Sequence, residues 1–184
     1  MEMEIGEWRL RPWQTGDEEA LVRYADNRRI WINLRDSFPH PYTMSDASSW
    51  LQRARADEPL TNLAIATTSE AIGGIGVTLQ HDVHRRSAEI GYWLAEPYWG
   101  RGIATRALRA FTSYAFATFD LIRLYGTVFE WNPASARVLE KAGFSYEGLL
   151  RQSITKDGQT VGAWMYGLVR DAEPHHPTPD SSST

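Results

Sequence analysis

The stretch 98-YWGRGIATRAL-108 joins a strand-like run, 88-AEIGYWLA-95, to a helical run that continues to about Ala117. Gly100 and Gly102 permit a tight turn without a Cβ clash, and from Ile103 the apolar residues Ala104, Leu108, Phe111 and Ala115 fall at helical spacing. A glycine turn therefore feeds a helix N-terminus. Such an end exposes unpaired N–H groups and carries a partial positive charge, which suits an anion and above all a phosphate. Arg101 and Arg106 add full charges beside it. A lone GxG also fits a plain strand-to-helix turn, so the flanks decide. No Lys-Ser or Lys-Thr pair follows Gly102, which excludes a nucleotide-triphosphate P-loop, and no third glycine completes a dinucleotide fingerprint. What remains is a two-glycine pyrophosphate cradle over Gly100, Arg101, Gly102, Ile103, Ala104 and Thr105.

Composition bounds the rest. The 184 residues suffice for one domain with a real core, and no run of 18 apolar residues suggests a membrane span. The first residues, MEMEIGEW, lack the basic start and apolar core of a secretory signal, so a cytoplasmic location is expected. A formal charge of −4 argues against nucleic acid as a partner, because neutralising phosphates needs clustered Lys and Arg. Cysteine is absent, which removes disulfides, thiolate metal ligands and a thiol nucleophile together. The five histidines form no HExxH or comparable set, so no metal is expected.

Taken in order, 5–11 alternates with the period of a half-buried strand that Pro12 closes. Thr15 with Glu18 has capping-box spacing ahead of a helix carrying Ala20, Leu21, Tyr24 and Ala25 on one face. Residues 28–42, RRIWINLRDSFPHPY, crowd Trp31, Phe38, His40 and Tyr42 around two prolines that keep the chain out of helix. By composition this is either a surface loop over the core or a substrate wall. A second capping box, Thr43 with Asp46, opens a helix to about Ala56. Residues 62–67 and 71–79 read as a hairpin whose Gly73, Gly74 and Gly76 mark a bulge or a close approach. On the next strand Glu89 shares a face with Gly91, Trp93 and Ala95, while Ile90, Tyr92 and Leu94 point the other way; the pattern leaves open which face is buried. After the long helix, 122–129 reads as a strand. Asn132 and Pro133 cap a helix that Gly143 ends, and two strands surround Asp157-Gly158. The chain is thus one domain, 1–170, followed by a flexible Pro/Ser-rich tail, 171–184.

Three stretches together resemble the GCN5-related N-acetyltransferase (GNAT) superfamily. Gly102, Ile103 and Ala104 match the GxG/A ending of its acyl-coenzyme A loop. Trp99 replaces the usual Gln or Arg, in the YWG form of the RimJ/RimL-type branch, which acetylates ribosomal-protein N-termini. Residues 33–42 look like that branch's NLRDxFPxPY acceptor segment, and Asn132, Ser135, Glu140, Lys141, Gly143 and Phe144 are similar to its N-x-x-[SA]…EK-x-GF signature. The resemblance spans about 8–170. It implies an α+β, α/β/α-layered fold: a mixed, mostly antiparallel sheet of about seven strands, splayed between strands four and five, with about four helices. It also implies acetyl-coenzyme A as cosubstrate and an amine acceptor, in a monomer or homodimer.

Acetyl transfer from a thioester needs a neutral amine, a polarised carbonyl and a stabilised thiolate. Glu89, the lone carboxylate on the strand beside the cradle, is the candidate base or else an ordinary surface glutamate. By resemblance, Trp93 and Leu94 lie at the cofactor, with the Leu94 N–H on the thioester carbonyl and Asn132 on the pantetheine arm. The Tyr that many members place seven residues after that Asn is Leu139 here, so Ser135 becomes the candidate for the thiolate. Trp31, Asn33, Arg35, Phe38 and Tyr42 form the expected acceptor wall. The acceptor is either a peptide α-amine or a small amine such as a polyamine or antibiotic. An acyl-coenzyme A sensor without turnover is a further alternative, and it would need neither Glu89 nor Ser135.

Overall fold

The alternation at the start of the chain does not make one strand. In the computed structural model, which describes residues 2–170, it divides into β1 (Met3–Glu4) and β2 (Arg9–Arg11), joined by a turn in which the Ile5 N–H donates to the Trp8 carbonyl at 2.8 Å. The segment 171–184, expected to be a flexible tail, lies outside the described residues. The expected first capping box is also absent. Helix α1 (Glu18–Ala25) starts at Asp17 without a side-chain cap, because both Asp17 oxygens go to the buried Arg11 guanidinium at 2.7 Å. A buried cation without a carboxylate costs more than an open helix end.

The loop that its prolines were expected to hold out of helix begins with one helical turn, α2 (Arg28–Trp31), capped by Asn27. The Thr43–Asp46 capping box forms as the spacing predicts and starts α3 (Met44–Ala54). There follow β3 (Asn62–Ala66), β4 (Ala71–Leu79), β5 (Ser87–Leu94), α4 (Ile103–Thr118), β6 (Arg123–Phe129), α5 (Pro133–Lys141), β7 (Ser145–Lys156) and β8 (Gln159–Val169). The Asp157-Gly158 turn is tighter than expected: Lys156 pairs with Gln159 across two residues of positive φ. The glycines of β4 mark close approaches, since a Cβ on Gly76 would collide with Asn62 and one on Gly73 with the Trp93 carbonyl.

The eight strands lie in the order β1-β2-β3-β4-β5-β6-β8-β7. All neighbours are antiparallel except β5 and β6, which are parallel and joined through α4. Helices α4 and α5 cover one face. Ile103, Ala107, Leu108, Phe111 and Leu139, none more than 1% exposed, pack there on Ile75, Ile90 and Leu94. Helices α1 and α3 cover the other face with Leu21, Ala47 and Leu51, against Trp13, Tyr42 and the half-buried Trp93. Both faces of β5 are therefore packed, each by a different helix pair. Burying one such Leu or Phe is worth about 1.5–3 kcal/mol. Among the described residues no helix is long and apolar enough to cross a membrane.

Candidate active site

Strands β5 and β6 pair only from Ser87↔Arg123 to Glu89↔Tyr125, although β5 runs on to Leu94 and β6 to Phe129. Beyond Glu89 the sheet opens. Ala95 donates its N–H to Ile72 of the β4 side at 2.8 Å, and hydrogen bonding alternates along an antiparallel ladder, so the main-chain groups of Tyr92 and Leu94 face the β6 side. There the Leu94 carbonyl accepts from the Trp99 indole at 2.7 Å, and the Leu94 N–H faces a gap that β6 has left. The turn after β5 reaches Gly102 at φ +74°, a left-handed conformation that favours glycine. Gly102 is the N-cap of α4 and offers no side-chain oxygen, so the first N–H groups of this 16-residue helix lie open. A Cβ at Gly100 or Gly102 would meet no atom within 4 Å, so the backbone itself borders the space.

These groups line one cavity of about 1840 Å³ that passes through the splayed sheet. On the α4–α5 side its wall includes Gly100, Gly102, Ile103, Ala104 and Thr105, with Arg137 and Lys141 one helical turn apart on α5. Neither Arg137 nor Lys141 has a carboxylate within 4 Å among the described residues. Arg101 is outside this wall, folded over the Tyr98 ring and donating to the Pro97 carbonyl at 3.2 Å. Arg106 stacks on Trp8. Asn132 spends its Oδ1 on the Ser135 N–H at 3.2 Å, capping α5. The Ser135 hydroxyl is 2.9 Å from the Tyr92 phenol, whose pKa burial pushes up to about 12 against the opposing pull of that hydrogen bond.

On the α1–α3 side Glu89 sits between two partners. One oxygen is ion-paired with Arg35 and the other accepts from Thr127 Oγ1 at 3.1 Å. Phe38 packs on Tyr42 at 5.1 Å and on Trp93 at 5.8 Å, so the Trp93 indole stands in this wall, opposite the face that carries Tyr92 and Leu94. Tyr42 is buried, which raises its phenol to about 12 with further help from Asp46. Asn33 accepts from the Trp131 indole at 3.1 Å. Trp31 lies behind the cavity wall and carries the Lys156 ammonium 3.8 Å above its ring. Lys156, 2% exposed, also holds the surface carboxylate of Asp36 at 2.8 Å, and Arg28 pairs with Asp157. The β7–β8 tip thus clasps the 28–42 loop.

A family model described as an acetyltransferase (GNAT) domain matches residues 8–145, three quarters of the chain. The chain belongs to the GNAT acetyltransferase family. Probable N-acetyltransferase YjcK of Bacillus subtilis is 42% identical over 157 residues, covering 81% of this chain and 86% of that protein. Spermidine N(1)-acetyltransferase of Escherichia coli is 28% identical over 152 residues, covering 82% and 80%. Mycobacterium smegmatis RimJ, solved in complex with CoA-disulfide, superposes with a TM-score of 0.78 at 28% identity, covering 90% of this chain and 83% of that one. The protein is accordingly an acetyl-coenzyme A-dependent N-acetyltransferase, and the open α4 N-terminus beside a splayed strand pair fits that cosubstrate.

In this GNAT enzyme the fold gathers most of the sequence candidates at one cavity but redistributes them. Gly100, Gly102, Ile103, Ala104, Thr105, Leu94, Asn132 and Ser135 line its α4–α5 half; Asn33, Arg35, Phe38, Tyr42, Glu89 and Trp93 line the other. Arg101 and Trp31 stand outside the lining. Sequence reading passed over Tyr92, Thr127, Arg137, Lys141 and Lys156. The i, i+4 spacing of Arg137 and Lys141 beside the Asn132 cap was the one local signal available for any of them. The others reach the cavity only through strand pairing.

Proposed function

We propose that this enzyme moves an acetyl group from acetyl-coenzyme A to the α-amine of a peptide or protein N-terminus. The pyrophosphate lies on the α4 N-terminus with Arg137 and Lys141 nearby, and the pantetheine arm runs along the edge that β5 leaves open, beside Asn132. The Leu94 N–H meets the thioester carbonyl, a preorganised donor of the kind whose removal costs about 10²–10³ in rate. The acceptor enters on the opposite face, between Arg35, Phe38 and Trp93.

One observation carries the choice of acceptor: every carboxylate lining the cavity is already engaged. Glu89 is held by Arg35 and Thr127, Asp36 by Lys156, Asp157 by Arg28, and Asp46 caps α3. A polyamine needs free carboxylates for its second and third ammonium groups and a strong base for an amine with a pKa near 10. An α-amine near 8 deprotonates readily and brings peptide carbonyls for Arg35. A cytoplasmic setting goes with this reading, since acetyl-coenzyme A and new N-termini meet there. The polyamine reading draws on the spermidine enzyme among the relatives.

Thiol release from acetyl-coenzyme A with a panel of free-N-terminal peptides, the same peptides N-blocked, and spermidine separates the two. Turnover of free peptides with none on blocked ones is expected. Turnover confined to spermidine overturns the reading.

A further inference from the structure

The Tyr92 phenol and the Ser135 hydroxyl form a pair that the acceptor chemistry leaves unused. Tyr92 shares its β5 face with Ile90 and Leu94, and its ring spans from the splayed edge to the first turn of α5. Its hydroxyl lies 2.9 Å from Ser135 Oγ and 3.2 Å from the Ser135 carbonyl. Both residues line the cavity.

Three facts give this contact direction. The Ser135 carbonyl is inside α5, where a helical N–H already serves it, so it does not depend on the phenol. Two settings of the hydroxyl protons are then available with no movement of heavy atoms. In one, Ser135 donates to Tyr92 and Tyr92 to the carbonyl. In the other, Tyr92 donates to Ser135 Oγ, and the Ser135 proton is free to turn into the cavity. Finally, Ser135 occupies the first turn of a nine-residue helix, whose positive end favours an anion nearby.

We propose that Tyr92 is a positioning residue for the leaving group: it holds Ser135 so that the serine hydroxyl donates a hydrogen bond to the sulfur of the departing coenzyme A. This rests on the acetyl-transfer reading but on no choice of acceptor. The amine forms its C–N bond and loses a proton to water, directly or by way of Glu89. The C–S bond breaks with its electron pair on sulfur, and the thiolate later takes a proton from water. Neither hydroxyl ionises. A thiol titrates near 8.5, whereas the buried phenol titrates at about 12, so moving the phenol proton onto the thiolate runs uphill. The pair therefore acts by donating a hydrogen bond.

The test is an ultraviolet titration of the coenzyme A thiol bound to the protein, which requires no acceptor. In the parent complex the thiol should ionise about tenfold more readily than free coenzyme A, one pKa unit. Tyr92→Phe and Ser135→Ala should each abolish that shift at unchanged coenzyme A Kd, and the double variant should lose no more than either single one. With whichever amine the panel turns over, Tyr92→Phe should lower kcat about tenfold without raising the acetyl-coenzyme A KM. A Tyr92→Phe complex that titrates like the parent overturns the proposal. So does a variant that cannot bind coenzyme A, since the phenol would then be a packing group.

Discussion

The Trp99 indole donates to the Leu94 carbonyl at 2.7 Å, taking the place of a strand that has turned away. The same edge of Leu94 thus presents a satisfied carbonyl and an open N–H. Trp99 thereby links the end of β5 to the glycine turn. Trp99→Phe keeps a ring over Arg29 but leaves that carbonyl unpaired. It should lower stability by about 0.5–1.5 kcal/mol, read by urea unfolding, and reduce kcat/KM for acetyl-coenzyme A several-fold. Unchanged kinetics would show that the turn holds its shape without the indole.

Gly102→Glu places a carboxylate against the proposed phosphate site and a Cβ at φ +74°. The strain should cost the free protein about 1–2 kcal/mol. Coenzyme A at 100 times its parent Kd should stabilise the parent by about 2.7 kcal/mol and the variant not at all, read as paired thermal shifts. A retained shift would move the phosphate elsewhere.

Arg35 and Thr127 each hold one oxygen of Glu89, fixing a carboxylate whose remaining lone pairs can take a proton from an incoming amine directly or through water. Glu89→Gln should therefore lower kcat about 10²-fold for alkyl amines and much less for a peptide α-amine. Arg35→Gln should widen the range of amines accepted while raising KM for peptides. Parent rates for Glu89→Gln with every amine across the neutral range would make Glu89 a bystander.

Lys156 is held between the Trp31 ring and Asp36, and so fixes the 28–42 loop at the cavity wall that it helps to line. Lys156→Met, with a similar stem but no charge, should raise the peptide KM several-fold and leave the acetyl-coenzyme A Kd unchanged. Phe38→Ala, inside the wall, should do the same. Loss of cofactor affinity in either variant would show that the two halves of the cavity are not separable.

Glu147, on the edge strand β7, lies below the usual carboxylate range because the Arg123 guanidinium hydrogen-bonds it, partly opposed by desolvation. A carboxylate with a depressed folded pKa contributes stability above its unfolded value, near 4.3, and loses it as pH falls through the folded one. Both partners are about one-third exposed, so screening limits the pair to about 1 kcal/mol or less. Glu147→Gln should lower the neutral plateau by up to about 1 kcal/mol and converge with the parent as pH falls through the folded pKa, giving a flatter acid limb, measured by denaturant titrations at several pH values. An identical acid limb in the variant would mean that other carboxylates dominate.

Local sequence determined what depends on neighbours along the chain. The glycine turn into α4, the Thr43–Asp46 box, the Asn132–Pro133 start of α5 and the Asp157-Gly158 hairpin all form where their spacing puts them, because φ preferences and capping bonds act over a few residues. The Thr15–Glu18 box did not form, since α1 starts at Asp17 with its carboxylate on the buried Arg11, and alternation failed at 5–11, where a turn divides the run. It could not assign the faces of β5 either, since helices far apart in sequence bury both. Only the tertiary structure decided that Glu89 meets Arg35 across 54 residues, that Tyr92 meets Ser135 across 43 and that Lys156 sits on Trp31. Such pairs follow from strand register and from the place where β5 leaves β6. Those are properties of the whole sheet, and no local propensity carries them.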